Sequence, residues 1–84
     1  MEEEFKFDFQ VLVEGKKLSD VDIKKHFMEN FEGDCLLVVG DEEMLKIHFH
    51  TNSPWEVLQY CISLGDVSDI VIENMERQAR GLNG

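Results

Sequence analysis

The sequence has few basic residues and lacks a long hydrophobic run. Eight lysines and arginines stand against eighteen aspartates and glutamates, which gives a formal charge of −10. This charge repels phosphate backbones, so nucleic acid is excluded as an expected partner. No apolar run reaches the roughly 18 residues of a membrane-spanning helix, and no signal-peptide pattern is present. The sequence therefore predicts a cytoplasmic protein without a membrane span.

Cysteine is scarce, and catalytic signatures are missing. Cys35 and Cys61 are too few for a disulfide framework and form no C-x-x-C pair, so both are predicted to be reduced, partly buried thiols. No nucleotide-binding fingerprint and no Ser-His-Asp or Cys-His arrangement stands out. An acylphosphatase-like enzyme is excluded, because no glycine-rich phosphate loop follows the first predicted strand and the only arginines are Arg77 and Arg80. We expect the chain not to be an enzyme on its own.

What the chain does contain is the pattern of one small α+β domain. Its 84 residues allow a single hydrophobic core. Residues 1–4 are predicted to be a disordered acidic start, and residues 5–75 a single domain. Residues 76–84 are predicted to be a polar tail, or a linker to a following domain.

Hydrophobic periodicity predicts six elements in the order strand, helix, strand, strand, helix, strand. The strands are predicted at 5–13, at 35–39, around the two histidines of 45–50, and at 67–72. Ser19 and Ser53 are predicted N-caps of the two helices, and Gly65 follows the second helix as its C-cap. This order predicts a ferredoxin-like βαββαβ fold, a four-stranded antiparallel sheet with two helices on one face. The first and third strands are expected in its centre, and the second at an edge.

The histidine strand contains the main candidate site. Leu45, Ile47 and Phe49 alternate with more polar residues, so His48 and His50 share the polar face. The predicted topology brings Asp8 of the first strand to the same place. Two imidazoles and a carboxylate are a ligand set for zinc, and iron or manganese would also accept it. The alternative is a group of solvated surface residues that form only a hydrogen bond.

Two further predictions concern surfaces. His26 is expected on the polar side of the first helix as a solvated histidine. Leu12, Val71 and alternate members of 36–39 cannot all face the helices, so the open sheet face should carry exposed aliphatic side chains. A second copy, a neighbouring domain or another protein is expected to cover this face, and a homodimer would use the open face or the 35–39 edge strand.

Three sequence blocks resemble a known family. They are Gly33–Glu42 (GDCLLVVGDE), His48–Pro54 (HFHTNSP) and Glu73–Gln78 (ENMERQ), which together span just over half of the chain. The blocks are similar to the segment between the two main domains of bacterial dihydroxyacetone-kinase-like proteins of the fatty acid kinase type. The pattern there is approximately G-D-S-L-V-V-V-G-D, then H-V-H-T-N-x-P-x-x-V-L, then D-N-M-x-x-Q.

The resemblance implies a middle domain. It would lie between a nucleotide-binding kinase domain and a fatty-acid-carrier-like domain, in a parent that uses ATP to phosphorylate a fatty acid held on a separate binding protein. The family's middle domain is associated with a zinc ion held by two histidines and a first-strand cysteine. His48 and His50 match, whereas the first-strand position is Asp8, a harder ligand than thiolate.

Three hypotheses follow. The leading one is a non-catalytic, metal-binding structural and association domain of such a kinase. The first alternative is a metal-free ferredoxin-like dimerisation or protein-interaction module. The second is a small metal-dependent hydrolase built on the same three ligands.

Overall fold

A computed structural model describes residues 5–84. The predicted disordered start at 1–4 lies outside the described residues. The elements follow the order β1 (Phe7–Glu14), α1 (Asp20–Asn30), β2 (Gly33–Gly40), β3 (Met44–Thr51), α2 (Pro54–Leu64), β4 (Asp66–Asn74) and α3 (Met75–Ala79).

The four strands form one sheet in the order β2-β3-β1-β4. All three pairings are antiparallel, which confirms the predicted α+β chain with a four-stranded antiparallel sheet. β3 and β1 occupy the centre, and β2 and β4 the edges. Asp8 pairs with His50, and Gln10 with His48, so the candidate residues of the two central strands are immediate neighbours.

The hydrophobic core lies between one sheet face and the helices. Alternate residues of the central strands are buried there and form one cluster with Ile23 and Phe27 of α1 and Val57 and Cys61 of α2. The Phe27 ring meets the Phe49 ring edge-on, with centroids 5.1 Å apart. Both α1 and α2 therefore pack on the same face. The strand residues in this cluster are Phe9, Val11, Val13, Val38, Leu45, Ile47 and Phe49.

This packing determines where the polar strand residues lie. Successive side chains of a strand point to opposite faces, so Asp8, His48 and His50 lie on the face away from the helices. Fully burying each aliphatic or aromatic side chain contributes roughly 1.5–3 kcal/mol. A one-residue slip of β1 or β3 would expose the whole buried set, so the core holds the register that positions the candidate site.

Both predicted N-cap serines lie at the helix starts, but only Ser19 caps its helix through the side chain. The Ser19 hydroxyl accepts a hydrogen bond of 3.2 Å from the backbone N–H of Asp22, which confirms the first N-cap. The Ser53 side chain makes no capping hydrogen bond. Instead the Ser53 backbone N–H donates to the Thr51 hydroxyl at 3.2 Å. Ser53 is therefore the N-cap residue of α2 as predicted, with Pro54 in the first turn, and Thr51 in place of the Ser53 side chain stabilises the turn into the helix.

β2 is less regular than the predicted 35–39 strand. It begins at Gly33, and its register against β3 shifts between Asp34 and Leu37. Cys35 lies in this bulge with a φ of +55°, a left-handed conformation that is uncommon for residues other than glycine. Cys35 is exposed, whereas Cys61 is fully buried. The predicted partial burial of Cys35 is wrong, because the bulge lies on an edge strand.

His26 and the C-terminal segment have contacts that the sequence did not predict. His26 is half-buried and not fully solvated as predicted, since its ring stacks on Tyr60 with a centroid distance of 3.8 Å and an interplanar angle of 4°. The C-terminal segment begins with α3, in which the Arg77 backbone N–H donates to the Asn74 side-chain oxygen at 3.0 Å. In the described residues, no helix is long and apolar enough to cross a membrane.

Candidate metal centre

The three residues predicted as metal ligands lie together on the open sheet face. Asp8 Oδ1 is 2.6 Å from His48 Nε2 and 3.8 Å from His50 Nε2. The two imidazole rings have centroids 5.0 Å apart. The ligand atoms of all three residues lie within 4.8 Å of one another, as a shared metal ion requires. The structure thus brings the three together, and their role as ligands remains a prediction.

The contact between Asp8 and His48 leaves one polar atom of each side chain without a hydrogen bond. Asp8 Oδ1 and His48 Nε2 are both buried atoms, and neither has a hydrogen-bond partner among the described residues. Their 2.6 Å separation lacks the N–H alignment of a hydrogen bond, so proximity alone does not satisfy either atom. A buried polar atom without a partner costs roughly 1–3 kcal/mol.

A divalent cation fits this donor set. It would accept lone pairs from both unsatisfied atoms and from His50, a combination that zinc binds in proteins. Ligand atoms about 2.0–2.1 Å from a tetrahedral zinc lie about 3.3 Å apart. Small side-chain rotations that separate Asp8 Oδ1 from His48 Nε2 would therefore accompany binding. Gln10 already supports the carboxylate, since its side-chain N–H donates to Asp8 Oδ2 at 3.5 Å.

Two residues after the histidines hold the surrounding strands in place. The buried Thr51 hydroxyl donates to the backbone carbonyl of Glu32 at 2.9 Å. The Asn52 side-chain oxygen accepts from the backbone N–H of Lys6 at 2.8 Å. The end of β3 is thereby tied to the residue before β2 and to the residue before β1. The sequence block HFHTNSP thus combines two candidate ligands with the side chains that fix the strands around them.

Gly33 brings β2 unusually close to β3. A Cβ atom on Gly33 would overlap the carbonyl oxygen of His50 and the ring of Phe49, so only glycine fits there without displacement. The next residue, Asp34, pairs with His50 across the two strands. Its Oδ1 lies 3.6 Å from His50 Nδ1.

A second group of potential ligands therefore shares His50. Asp34, Cys35 and His50 have ligand atoms within 4.8 Å of one another. Sequence reasoning missed Asp34 and Cys35, although Leu37 opposite His48 gives a register that can be counted back along β2. A regular hairpin would place Cys35 opposite His50, and the bulge gives that position to Asp34 instead.

Comparison with known proteins identifies the family. The sequence profile of the FakA-like middle domain, from fatty acid kinases, matches residues 4–82. An uncharacterized protein of Staphylococcus saprophyticus is 40% identical over 65 residues, which cover 77% of this chain and 12% of that protein. An uncharacterized protein of Staphylococcus aureus strain USA300 shows the same identity and coverage. One of Staphylococcus haemolyticus is 44% identical over 48 residues, or 57% of this chain and 9% of that protein.

The chain thus spans about one eighth of the length of two of these relatives. The profile match extends over nearly all of the described residues and includes the three blocks on which the resemblance rested. The chain belongs to the FakA-like fatty acid kinase family, in which it corresponds to the middle domain.

Proposed function

We propose that this chain is a metal-binding structural and association domain without catalytic activity of its own. Its parent would be a cytoplasmic dihydroxyacetone-kinase-like fatty acid kinase that uses ATP to phosphorylate a fatty acid held on a separate binding protein. Membership of the family supports the parent's identity. The match covers only 12% of the length of the Staphylococcus saprophyticus relative. This supports flanking domains of the parent chain as partners of this domain.

One observation carries the metal-binding part of the proposal. Asp8 Oδ1 and His48 Nε2 are buried without hydrogen-bond partners, and His50 Nε2 lies on the same side of the sheet. Zinc is the expected metal, and iron or manganese would also suit two imidazoles and a carboxylate. When bound, the metal would neutralise the carboxylate and cross-link β1 to β3. Asp8, His48 and His50 would hold it, and Gln10 would orient the carboxylate of Asp8.

The absence of catalysis is supported by where the two arginines lie. Arg77 Nε donates to the carbonyl of Asn83, and Arg80 Nε donates to the carbonyl of Glu76. Both arginines are therefore bonded within the C-terminal segment around α3. A kinase needs cationic groups and metal ions that converge on the transferred phosphate. Those groups would come from the flanking kinase domain of the parent.

The fold supports a scaffold role. We infer that the chain follows the ferredoxin-like plan, since the strand-helix-strand halves β1-α1-β2 and β3-α2-β4 interleave in the order β2-β3-β1-β4. The helices close one face of the sheet, and the opposite face remains available to a neighbouring domain. A metal on that open face would stiffen the surface at which the domains meet.

The experiment is a measurement of metal content by mass spectrometry. Protein purified without added metal or chelator should contain close to one zinc per chain, and His48→Ala/His50→Ala should contain none. His26→Ala is the matched control, because it removes a histidine that stacks on Tyr60 outside the site. It should retain the metal. Circular dichroism should show that the double variant is folded, because the hydrophobic core does not include the ligands. Equal zinc in the double variant and the wild type would contradict the proposal.

One observation favours the second candidate, a metal-free dimerisation module. Leu37 and Val39 on the open face of β2 are about half exposed, and Ile70, Val71 and Ile72 are exposed on β4. Exposed aliphatic side chains on edge strands favour association. If the wild type contains no metal and light scattering gives twice the mass of one chain, this candidate replaces the first. Val39→Lys, on the same edge, should then return the protein to a monomer.

A further inference from the structure

We propose that Asp34, Cys35 and His50 form a second metal site, specific for thiophilic divalent cations such as Zn²⁺, Co²⁺ and Cd²⁺. It lies on the β2 side of His50, whereas the first candidate site lies on the β1 side. The proposal stands on a different ligand set and does not require that the first site bind metal.

The two nitrogens of His50 face different carboxylates. Nε2 is 3.8 Å from Asp8 Oδ1, and Nδ1 is 3.6 Å from Asp34 Oδ1. Asp8 and Asp34 both pair with His50 in the sheet, one from each neighbouring strand. The imidazole therefore lies between two strands that carry potential ligands. Its Nε2 faces Asp8 of β1, and its Nδ1 faces Asp34 of β2.

The bulge in β2 brings the thiol of Cys35 to the β2 side of His50. The extra residue between Asp34 and Leu37 lets Asp34 take the position opposite His50 while Cys35 stays within ligand distance. Asp34 and Cys35 are exposed, so an ion can reach them from solvent. A thiolate, an imidazole and a carboxylate within 4.8 Å of one another make a mixed S, N, O set.

The thiolate determines which metals bind. Soft sulfur ligands favour zinc, cobalt and cadmium over the hard cations magnesium and calcium. Coordination replaces the S–H bond of Cys35 with a metal–sulfur bond and releases one proton to solvent, so binding weakens as pH falls.

A metal ion bound at this site competes for His50 with a metal ion bound at the first site. A neutral imidazole has one lone pair for a metal, because its other nitrogen carries a proton. A metal bound through Nδ1 leaves Nε2 protonated, and that N–H then faces Asp8. The two sites are therefore alternatives within one chain, and the carboxylate on the unoccupied side orients the ring of His50.

The test is a titration of the metal-free, reduced protein with Co²⁺, followed by absorption spectroscopy. A thiolate ligand gives an intense sulfur-to-cobalt charge-transfer band in the near ultraviolet, which imidazole and carboxylate ligands do not give. The wild type should show this band and reach its plateau at one equivalent. Cys35→Ser and His50→Gln should lose it, whereas Cys61→Ala should keep it because Cys61 is buried in the core.

Further variants separate this site from the first. Asp8→Asn/His48→Gln removes two ligands of the first site and should retain the charge-transfer band. Cys35→Gly is a second test of the thiol, and glycine suits the φ of +55° at this position, so loss of the band cannot be ascribed to misfolding. No band in Asp8→Asn/His48→Gln, where the first site cannot compete for His50, or a band that persists in Cys35→Ser, would overturn the second site.

Discussion

The Thr51 hydroxyl donates a 2.9 Å hydrogen bond to the backbone carbonyl of Glu32 and joins the end of β3 to the start of β2. Thr51 is fully buried, and its oxygen also accepts from the N–H of Ser53. One hydroxyl thus satisfies two backbone groups next to His50. Together with the Asn52–Lys6 hydrogen bond, it fixes the ends of the three strands that carry both candidate ligand sets.

Replacing Thr51 with valine tests this arrangement. Valine keeps the shape of threonine but leaves the Glu32 carbonyl and the Ser53 N–H without their partner. We expect a loss of roughly 1–3 kcal/mol in the free energy of unfolding, measured by urea denaturation. Thr51→Ser is the control, because it keeps the hydroxyl and should lose less. A Thr51→Val protein as stable as the wild type would show that the hydroxyl contributes nothing.

Much of the fold could be predicted from local sequence. Alternation along 45–50 correctly separated the core-facing Ile47 and Phe49 from His48 and His50. Ser19 correctly marked the start of α1, because a serine hydroxyl one residue before the helix satisfies a free N–H. These features depend on residues close together in the chain, which is why a single sequence reveals them.

The features that sequence reasoning missed depend on contacts between elements. Ser53 has the same local signals as Ser19, yet Thr51 forms the hydrogen bond that organises the turn. His26 has the periodicity of an exposed helix residue, and its stacking depends on Tyr60 of another helix. Asp8 could be placed beside the histidines by topology. Asp34 could not, because the bulge in β2 shifts the register by one residue.

Gly33→Ala tests whether the close approach of β2 to β3 is required. The new methyl group would overlap the carbonyl oxygen of His50 and the ring of Phe49, so the start of β2 must move away. We expect a loss of about 1–3 kcal/mol in thermal or urea unfolding, the range for overpacked sites. The shift should also move Asp34 and Cys35 away from His50 and weaken cobalt binding through the thiolate.

Gly81→Ala is the control for that substitution. Its Cβ atom would meet open space, although its φ of +80° makes alanine locally unfavourable. It lies in the C-terminal segment and should leave global unfolding and cobalt binding unchanged. Equal effects of the two substitutions would contradict a specific role for Gly33.

The two thiols should differ sharply in reactivity. Burial raises the pKa of the Cys61 thiol to about 12 from its ordinary value of 9.0, whereas Cys35 is exposed. Since the thiolate is the reactive form, a thiol reagent should modify Cys35 in the folded protein and reach Cys61 only after unfolding. Mass spectrometry of the labelled peptides measures both rates. Labelling of Cys61 as fast as Cys35 would contradict its burial.

The same pKa shift predicts a loss of stability in alkali. The folded pKa of Cys61 is raised, so the folded state holds this proton more tightly than the unfolded state. The resulting stability is fully present below pH about 9 and is lost as pH rises from about 9 through about 12. Cys61→Ala should lose less stability than the wild type across this range. Urea titrations of the two proteins at each pH separate the contribution of Cys61 from that of other groups that titrate in alkali. If the free energy of unfolding falls equally with pH in both proteins, Cys61 makes no such contribution.

Asp8→Cys tests whether the first-strand ligand sets the metal preference of the first site. The replacement places a thiolate beside His48 and His50, where the carboxylate oxygen now lies 2.6 Å and 3.8 Å from their Nε2 atoms. Sulfur is softer than oxygen and selects zinc more strongly over manganese. We therefore expect zinc affinity to rise at least about tenfold, or ~1.4 kcal/mol, in competition with a chromophoric chelator. Asp8→Asn has almost the same shape without the charge and should bind zinc more weakly than the wild type. If all three proteins compete equally, residue 8 is not a ligand of the zinc.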